Sequence, residues 1–262
     1  MPVTAFIGCG NMGGALARAA AKKMPAQDIL LCNRSPGKAE KLSEELGAKA
    51  VNAREAAGKA DILFLGVKPQ QFDALLDEIG GVLKERSVQP LIVSMMAGKP
   101  ISLLNEVLGN APVIRIMPNI PVSVGAGVTL LCAGENVTEP QTAQIRTLLE
   151  PAGEVVELDE HLFDAAGGVT GCGPAFIAML AEALADGAVA CGLPRAKALE
   201  LAEITLRGTA EYLLKTGEHP GALKDKVCSP AGSTIQGVRK LEEYAFRSAV
   251  AEAVIATYEK EF

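Results

Sequence analysis

Gly8-Cys9-Gly10-Asn11-Met12-Gly13 stands where the strand pattern Val3–Ile7 gives way to a helical pattern beginning near Met12. Nothing else in the chain limits the fold as tightly. At a strand-to-helix hand-over, glycines at this spacing do three separate things. The first permits a tight turn, the second lets backbone approach a pyrophosphate, and the third lets the helix pack close to the strand. The helix then points unpaired N–H groups and its positive dipole end at that pyrophosphate. The turn predicts a parallel α/β domain that binds a dinucleotide, with Ile7, Gly8, Cys9, Gly10, Asn11, Met12 and Gly13 around the phosphates. A glycine turn without a ligand is the alternative, and the strand-then-helix context argues against it.

The first half keeps the rhythm that this turn opens. Apolar runs at Val3–Gly8, Ile29–Asn33, Ile62–Val67, Leu91–Ser94, Val113–Met117 and Val128–Cys132 alternate with helical stretches. Those stretches are Met12–Lys23, Lys38–Leu46, Gln70–Leu83, Ile101–Leu108 and Glu139–Leu149. Near-continuous apolar strands such as Ile62-Leu63-Phe64-Leu65 suit a sheet covered on both faces. After Val155 strand patterns vanish. Long helices are expected over about Asp164 to Gly192 and Arg195 to Lys215, with two more after Ser233. Gly217, Pro220 and Pro230 punctuate them. The reading is an α/β Rossmann-type domain, a doubly wound and mainly parallel sheet, at residues 1–158. An all-α domain follows at residues 159–262.

The end of the second strand speaks to the cofactor. NAD sites usually carry an acid there for the ribose hydroxyls, about twenty residues beyond the fingerprint. Here Asn33-Arg34-Ser35 offers a guanidinium and two hydrogen-bonding side chains, which suit a 2′-phosphate. NADPH is the expected cofactor, with NADH a weaker possibility. Further loops fall at C-terminal strand ends, where ligands bind in such sheets. They supply Gly66, Val67, Lys68 and Pro69, then Met95, Met96 and Ala97, then Asn119, and Asn52 joins the same cofactor set. Lys68 either reaches the cofactor or lies over a helix start. Asn119 sits in a proline-stiffened loop, Arg115-Ile116-Met117-Pro118-Asn119-Ile120-Pro121, and such rigidity also serves structure alone.

Composition narrows the partners. The net charge of −6, with acids and bases interspersed, offers no basic face to nucleic acid. Six scattered cysteines without C-x-x-C spacing, and only two histidines, argue against a metal site and against a disulfide framework. The N-terminus enters a strand pattern directly, without the charged and small-residue marks of a signal peptide, so a reducing, cytoplasmic setting is expected. Pro174 to Leu193 is apolar and about long enough to span a bilayer. Glu182 and Asp186 near its middle argue instead for a helix almost surrounded by protein. A domain of about a hundred residues cannot cover so apolar a helix alone. A homo-oligomer is expected, at least a dimer through these C-terminal helices.

Two glycine/proline segments interrupt the helices. Thr170-Gly171-Cys172-Gly173-Pro174-Ala175-Phe176 opens the apolar helix. Leu223 to Ile235 ends in Ser229-Pro230-Ala231-Gly232-Ser233-Thr234-Ile235, which puts hydroxyls and free N–H groups at a helix start, a ready carboxylate site. Ordinary helix capping would explain either segment alone. Taken with the Gly8–Gly13 fingerprint, Val67-Lys68-Pro69, the Arg115–Pro121 loop, His219-Pro220-Gly221, Lys224-Asp225 and Phe246-Arg247-Ser248, they resemble the pyrroline-5-carboxylate reductases almost end to end.

That resemblance implies NADPH-dependent reduction of the cyclic imine 1-pyrroline-5-carboxylate to L-proline, the last step of proline biosynthesis. It implies that Ser233 and Thr234 hold the substrate carboxylate and that Ser229 and Gly232 complete the pocket. Thr234 would be catalytic, its hydroxyl near the imine nitrogen. The chain departs from the family pattern at Cys172, where serine is common, at Ala231, where glycine is common, and at Met95-Met96, where small residues are frequent. The chemistry agrees, because an imine can arrive protonated and then needs mainly alignment. A hydroxyacid dehydrogenase of similar architecture would need a lysine base on the Pro174–Leu193 helix, which has none. A non-catalytic NADP-binding regulator would not need the Ser229–Ile235 segment.

Overall fold

The computed structural model describes residues 2–109 and 111–259. Four apolar runs become fully buried strands: β1 (Thr4–Ile7), β2 (Ile29–Cys32), and, after a short edge strand β3 (Lys49–Ala50), β4 (Ile62–Leu65) and β5 (Leu91–Ser94). They continue into β6 (Val113–Pro118), β7 (Gly127–Ala133) and β8 (Gly153–Glu157), in the order β3-β2-β1-β4-β5-β6-β7-β8. Every pairing is parallel except β6 with β7, which is antiparallel. The reason is length: a parallel partner requires a crossover of a dozen or more residues, and residues 119–126 are too few.

Side chains alternate across this sheet, and each face has its own core. One gathers Phe6, Leu16, Leu31, Phe64 and Val93, with the Phe6 and Phe64 rings stacked at 4.5 Å. The other gathers Ile7, Leu63, Leu65, Phe72 and Ile92. Helices α1 (Asn11–Ala20), α2 (Pro36–Leu46), α3 (Ala53–Lys59), α4 (Phe72–Lys84), α5 (Ile101–Leu108) and α6 (Glu139–Leu149) connect the strands. Helix α1 lies close to the sheet because its buried face is Gly13, Gly14, Ala15, Ala17, Ala19 and Ala20 with the larger Leu16. A capping box at Thr138 and Gln141 starts α6.

The mainly parallel α/β domain and the helical remainder are as read from the sequence, and three elements of the α/β domain are additions. Strand β3 has only two residues, α3 only two turns, and β8 is an edge strand exposed along most of its length. The expected helix over Asp164 to Gly192 breaks at Gly171-Cys172 into α7 (Phe163–Thr170) and α8 (Gly173–Ala190). The same point divides the chain into two compact units, one ending at Gly171 and the other beginning at Cys172. The first unit thus keeps α7, which the division drawn at 158/159 assigned to the helical part.

The second unit contains α8, α9 (Arg195–Thr216), α10 (Pro220–Val227), α11 (Ser233–Glu243) and α12 (Phe246–Tyr258). Its burial is slight. Gly173 and Ala185 are the buried residues of α8, Ala198 and Ala202 those of α9, and the other three helices have none. Ile177, Met179, Leu184, Leu201 and Ile204 are exposed. Within one chain, α8 is therefore not the enclosed helix that its sequence leads one to expect.

Candidate functional site

The fingerprint glycines occupy three different environments, and each accounts for a glycine differently. Gly8 has φ +103, and a Cβ there would lie 2.5 Å from the backbone carbonyl of Gly66. Its N–H donates to Cys32 O at 2.8 Å, while Gly66 N donates to Ile7 O at 2.7 Å. The turns after β1 and β4 are therefore pressed together, backbone on backbone. A Cβ on Gly13 would collide with the carbonyl oxygen of Gly8. A Cβ on Gly10 would meet nothing within 4 Å. Two glycines are required by the fold, and the third faces open space.

That space lies at the start of α1. Gly10 is the N-cap, no side chain caps the helix, and the first turn contains no acid. The first-turn N–H groups are thus left for an anion, and no carboxylate competes for them. Asn11 is exposed and Met12 half-buried. Ile7 and Cys9 point into the core, so only their backbones are available to a ligand. Cys9 Sγ donates to Phe6 O at 3.5 Å, and burial pushes its thiol up to about 12. This cysteine packs and does not react.

At the end of β2, Arg34 and Ser35 are exposed, and the first turn of α2 is free of acid. Asn33 Nδ2 donates to Ser35 O at 3.2 Å and so shapes this corner. These residues fit a 2′-phosphate: a guanidinium, a hydroxyl and a helix start with no side-chain cap and no acid in its first turn. Asn52 has a structural task, since its Oδ1 caps α3 by accepting from Glu55 N at 2.8 Å. Lys68 is exposed, Val67 and Pro69 half-buried, and Met95 Sδ lies against Gly66. Ala97 is exposed, whereas the Met96 side chain belongs to the core beside Phe72, so it offers only its backbone.

Asn119 is committed elsewhere. Its Oδ1 accepts from Val128 N at 2.9 Å and its Nδ2 donates to Thr170 O at 3.0 Å, so the amide ties β6, β7 and the end of α7 together. One further residue of β6 escaped the sequence reading. Arg115 is 5% exposed and pairs with Glu160 at 2.9 Å, its guanidinium 5.0 Å from the centre of the buried Phe163 ring. The same Glu160 oxygen accepts Ile101 N at 2.8 Å, so one carboxylate starts α5 and neutralises Arg115. The signal was an arginine inside Val113-Ile114-Arg115-Ile116: such a strand cannot bury a charge without a partner.

In the second unit the Ser229–Thr234 segment forms a tight loop. Gly232 N donates to Ser229 O at 3.0 Å, and a Cβ on Gly232 would lie 3.1 Å from that oxygen and oblige the Ser229 hydroxyl to turn away. Ala231 adopts φ +58, a left-handed conformation that favours glycine. Gly232 is the N-cap of α11, again with no side-chain cap and no acid in the first turn, and Ser233 and Thr234 are exposed there. Thr234 opens into a hollow of about 550 Å³ walled by Thr205, Thr209 and Tyr212 of α9 and by Leu223 and Lys224 of α10. The N–H groups and hydroxyls suit a small carboxylate, while Lys224 is paired with Asp225 at 2.8 Å. Helix α10, absent from the sequence reading, begins at Pro220 and is capped by His219, whose Nδ1 accepts from Gly221 N at 3.1 Å.

Comparison with known proteins gives consistent matches for both units. Residues 160–261 match the family described as pyrroline-5-carboxylate reductase dimerisation. Residues 3–98 match the family described as NADP oxidoreductase, coenzyme F420-dependent. A pyrroline-5-carboxylate reductase of Escherichia coli is 42% identical over 260 residues, covering 97% of this chain and 95% of the relative. One from Synechocystis is 41% identical over 258 residues, with the same two coverages, 97% and 95%. Among solved structures, a pyrroline-5-carboxylate reductase from Coxiella burnetii superposes with TM-score 0.90 at 31% identity, over 98% of this chain and 96% of the other. A Plasmodium falciparum pyrroline carboxylate reductase with NADP bound gives 0.85 at 28% identity, over 98% and 96%.

Proposed function

The chain belongs to the pyrroline-5-carboxylate reductase family, and from that premise we propose which of its own residues carry the reduction of 1-pyrroline-5-carboxylate to L-proline. The observation that carries the assignment of the substrate site is the start of α11. An uncapped helix N-terminus without acids presents Thr234 to a hollow, with Ser233 exposed beside it, and Lys224, paired with Asp225 at 2.8 Å, borders the same hollow. The N–H groups and hydroxyls of Ser233 and Thr234 bind the substrate carboxylate, with Ser229 and Gly232 shaping the loop behind them. Thr234 Oγ1 faces the ring nitrogen and donates or relays a proton to it.

NADPH, when bound, supplies the hydride that adds to the imine carbon. In the first unit, the backbone from Gly8 to Gly13 holds its pyrophosphate, and Arg34 with Ser35 holds its 2′-phosphate. NADH, which lacks that phosphate, binds more weakly. Lys68, Met95, Ala97 and the backbone of Met96 complete the cofactor loops. Asn52 and Asn119 act chiefly through the structure they cap and tie. The product nitrogen gains one proton and the ring carbon one hydride, which balances the conversion of imine to secondary amine. With a substrate able to arrive protonated, alignment supplies much of the rate, up to about 7–11 kcal/mol. The hydroxyacid alternative lacks its lysine on α8.

The protein is a homo-oligomer, and we place its interface on the apolar faces of α8 and α9, in at least a dimer. Six free cysteines, two of them buried, fit a cytoplasmic setting.

Thr234 variants test the assignment. Thr234→Ala and Thr234→Val should lower kcat for the imine about 10–100-fold, below the usual range for lost acid catalysis because the substrate brings its own proton. Thr234→Ser should retain most activity, and NADPH binding should not change in any of them. Equal turnover by all four proteins from about pH 6 to 9 would leave Thr234 with a capping role alone.

A further inference from the structure

We propose that Glu218 is a positioning residue for this reduction, tying Tyr212 and Lys226 together so that the two walls of the Thr234 hollow hold their spacing. The inference rests on the reading that Thr234 meets the substrate. Glu218 lies in the short link between Gly217, the C-cap of α9, and His219, the cap of α10. An acid in such a link is ordinarily solvated, yet this side chain is only 15% exposed. Its Oε1 accepts from Lys226 Nζ at 2.7 Å and its Oε2 from the Tyr212 hydroxyl at 3.0 Å. Its own N–H donates to Thr216 Oγ1 at 3.2 Å. The Lys226 ammonium, helped by the Tyr212 hydroxyl, outweighs desolvation and holds the carboxyl below the usual range, so it is ionised at neutral pH.

Glu218 joins a residue in one wall of the hollow to a residue beside the opposite wall. Tyr212 belongs to its α9 wall, and Lys226 adjoins Val227, which belongs to its α10 wall. Within one chain, helix α10 has no buried residue of its own. It is also the element that leads straight into Cys228–Gly232 and Thr234. Releasing Lys226 frees the end of α10 next to the substrate loop, and releasing Tyr212 frees a side chain that borders the same hollow as Thr234. Each change loosens substrate alignment without touching the dinucleotide fold.

The test compares Glu218→Ala, Glu218→Gln, Tyr212→Phe and Lys226→Met in the full-length, assembled protein, with KM for the imine, KM for NADPH, kcat and Tm measured for each. Glu218→Ala should raise KM for pyrroline-5-carboxylate by about tenfold, while KM for NADPH stays within about twofold. Glu218→Gln keeps one acceptor for Lys226 Nζ and turns an amide N–H toward the Tyr212 oxygen, but it loses the charge, so it should recover only part of the loss. Tyr212→Phe and Lys226→Met should each cost about threefold, and neither should add to Glu218→Ala, since all act through one carboxylate. An unchanged imine KM in Glu218→Ala overturns the proposal. So does a parallel rise in both KM values with a fall in Tm, which marks a general structural role. If Glu218→Ala fails to assemble, Tyr212→Phe decides, because it removes one oxygen and leaves the packing. Thr234→Val run alongside separates the two ideas. Normal turnover in that variant with a raised imine KM in Glu218→Ala rejects the Thr234 role alone, and the reverse pattern rejects the tie alone.

Discussion

Gly10→Ala separates binding from folding within a single turn. Its backbone, at φ −75 and ψ −163, is open to any L-residue, and a Cβ there meets nothing within 4 Å. Alanine caps a helix less well than glycine, but it also restricts the unfolded chain by about 0.4–1 kcal/mol, so the two effects nearly cancel. Tm should shift by less than about 2 °C on the usual size scaling. The methyl would, however, stand where a pyrophosphate must approach the backbone. Forcing a methyl into a filled site costs about 1–3 kcal/mol, or roughly 5–150-fold in NADPH affinity. Gly13→Ala is the control, since its Cβ would strike the Gly8 carbonyl and should lower Tm sharply. Fluorescence titration with NADPH and thermal unfolding measure both quantities. Wild-type affinity in Gly10→Ala would refute the cradle, and so would a loss of stability equal to that of Gly13→Ala.

Other outcomes follow from the same geometry. Arg34→Asp should weaken NADPH by about 1.5–3 kcal/mol, one to two decades, and leave NADH nearly unchanged; an equal loss with both cofactors would make Arg34 structural. Ala231→Gly should relieve a left-handed alanine worth about 1–2 kcal/mol against about 0.4–1 kcal/mol of added chain entropy, so denaturant unfolding should find it equal to wild type or more stable by up to about 1.6 kcal/mol. Glu160→Ala strips Arg115 of its counter-ion and α5 of its acceptor, and chemical denaturation should register about 3 kcal/mol of lost stability. A loss below about 1 kcal/mol would mean that the pair is solvated in practice.

Much of this architecture was legible because the strands of a sheet covered on both faces are written as uninterrupted apolar runs. Ile62-Leu63-Phe64-Leu65 needs no context to be read as buried strand. What stayed hidden had a different physical basis. Strand β3 is too short to show a period, and α3 is a two-turn helix whose alanines carry little contrast. Strand β8 is mostly exposed and receives its identity from pairing with β7, a tertiary cause. Pro220 reads as a breaker, yet a proline in a first turn opens α10. The site divides in the same way. Spacing alone located Gly8, Gly10 and Gly13, whereas the tasks of Asn52, Met96 and Asn119 depend on partners brought together by folding. Glu160 and Arg115 lie far apart in sequence, and no local pattern joins them.

The central claim is tested most directly by mixing the purified protein with NADPH and 1-pyrroline-5-carboxylate and following both the cofactor and the amino acid formed. One L-proline should appear for each NADPH oxidised, at a rate that falls when Thr234→Val replaces the wild-type protein and when NADH replaces NADPH. NADPH oxidation without proline, or turnover of hydroxy or keto acids in preference to the imine, would contradict it.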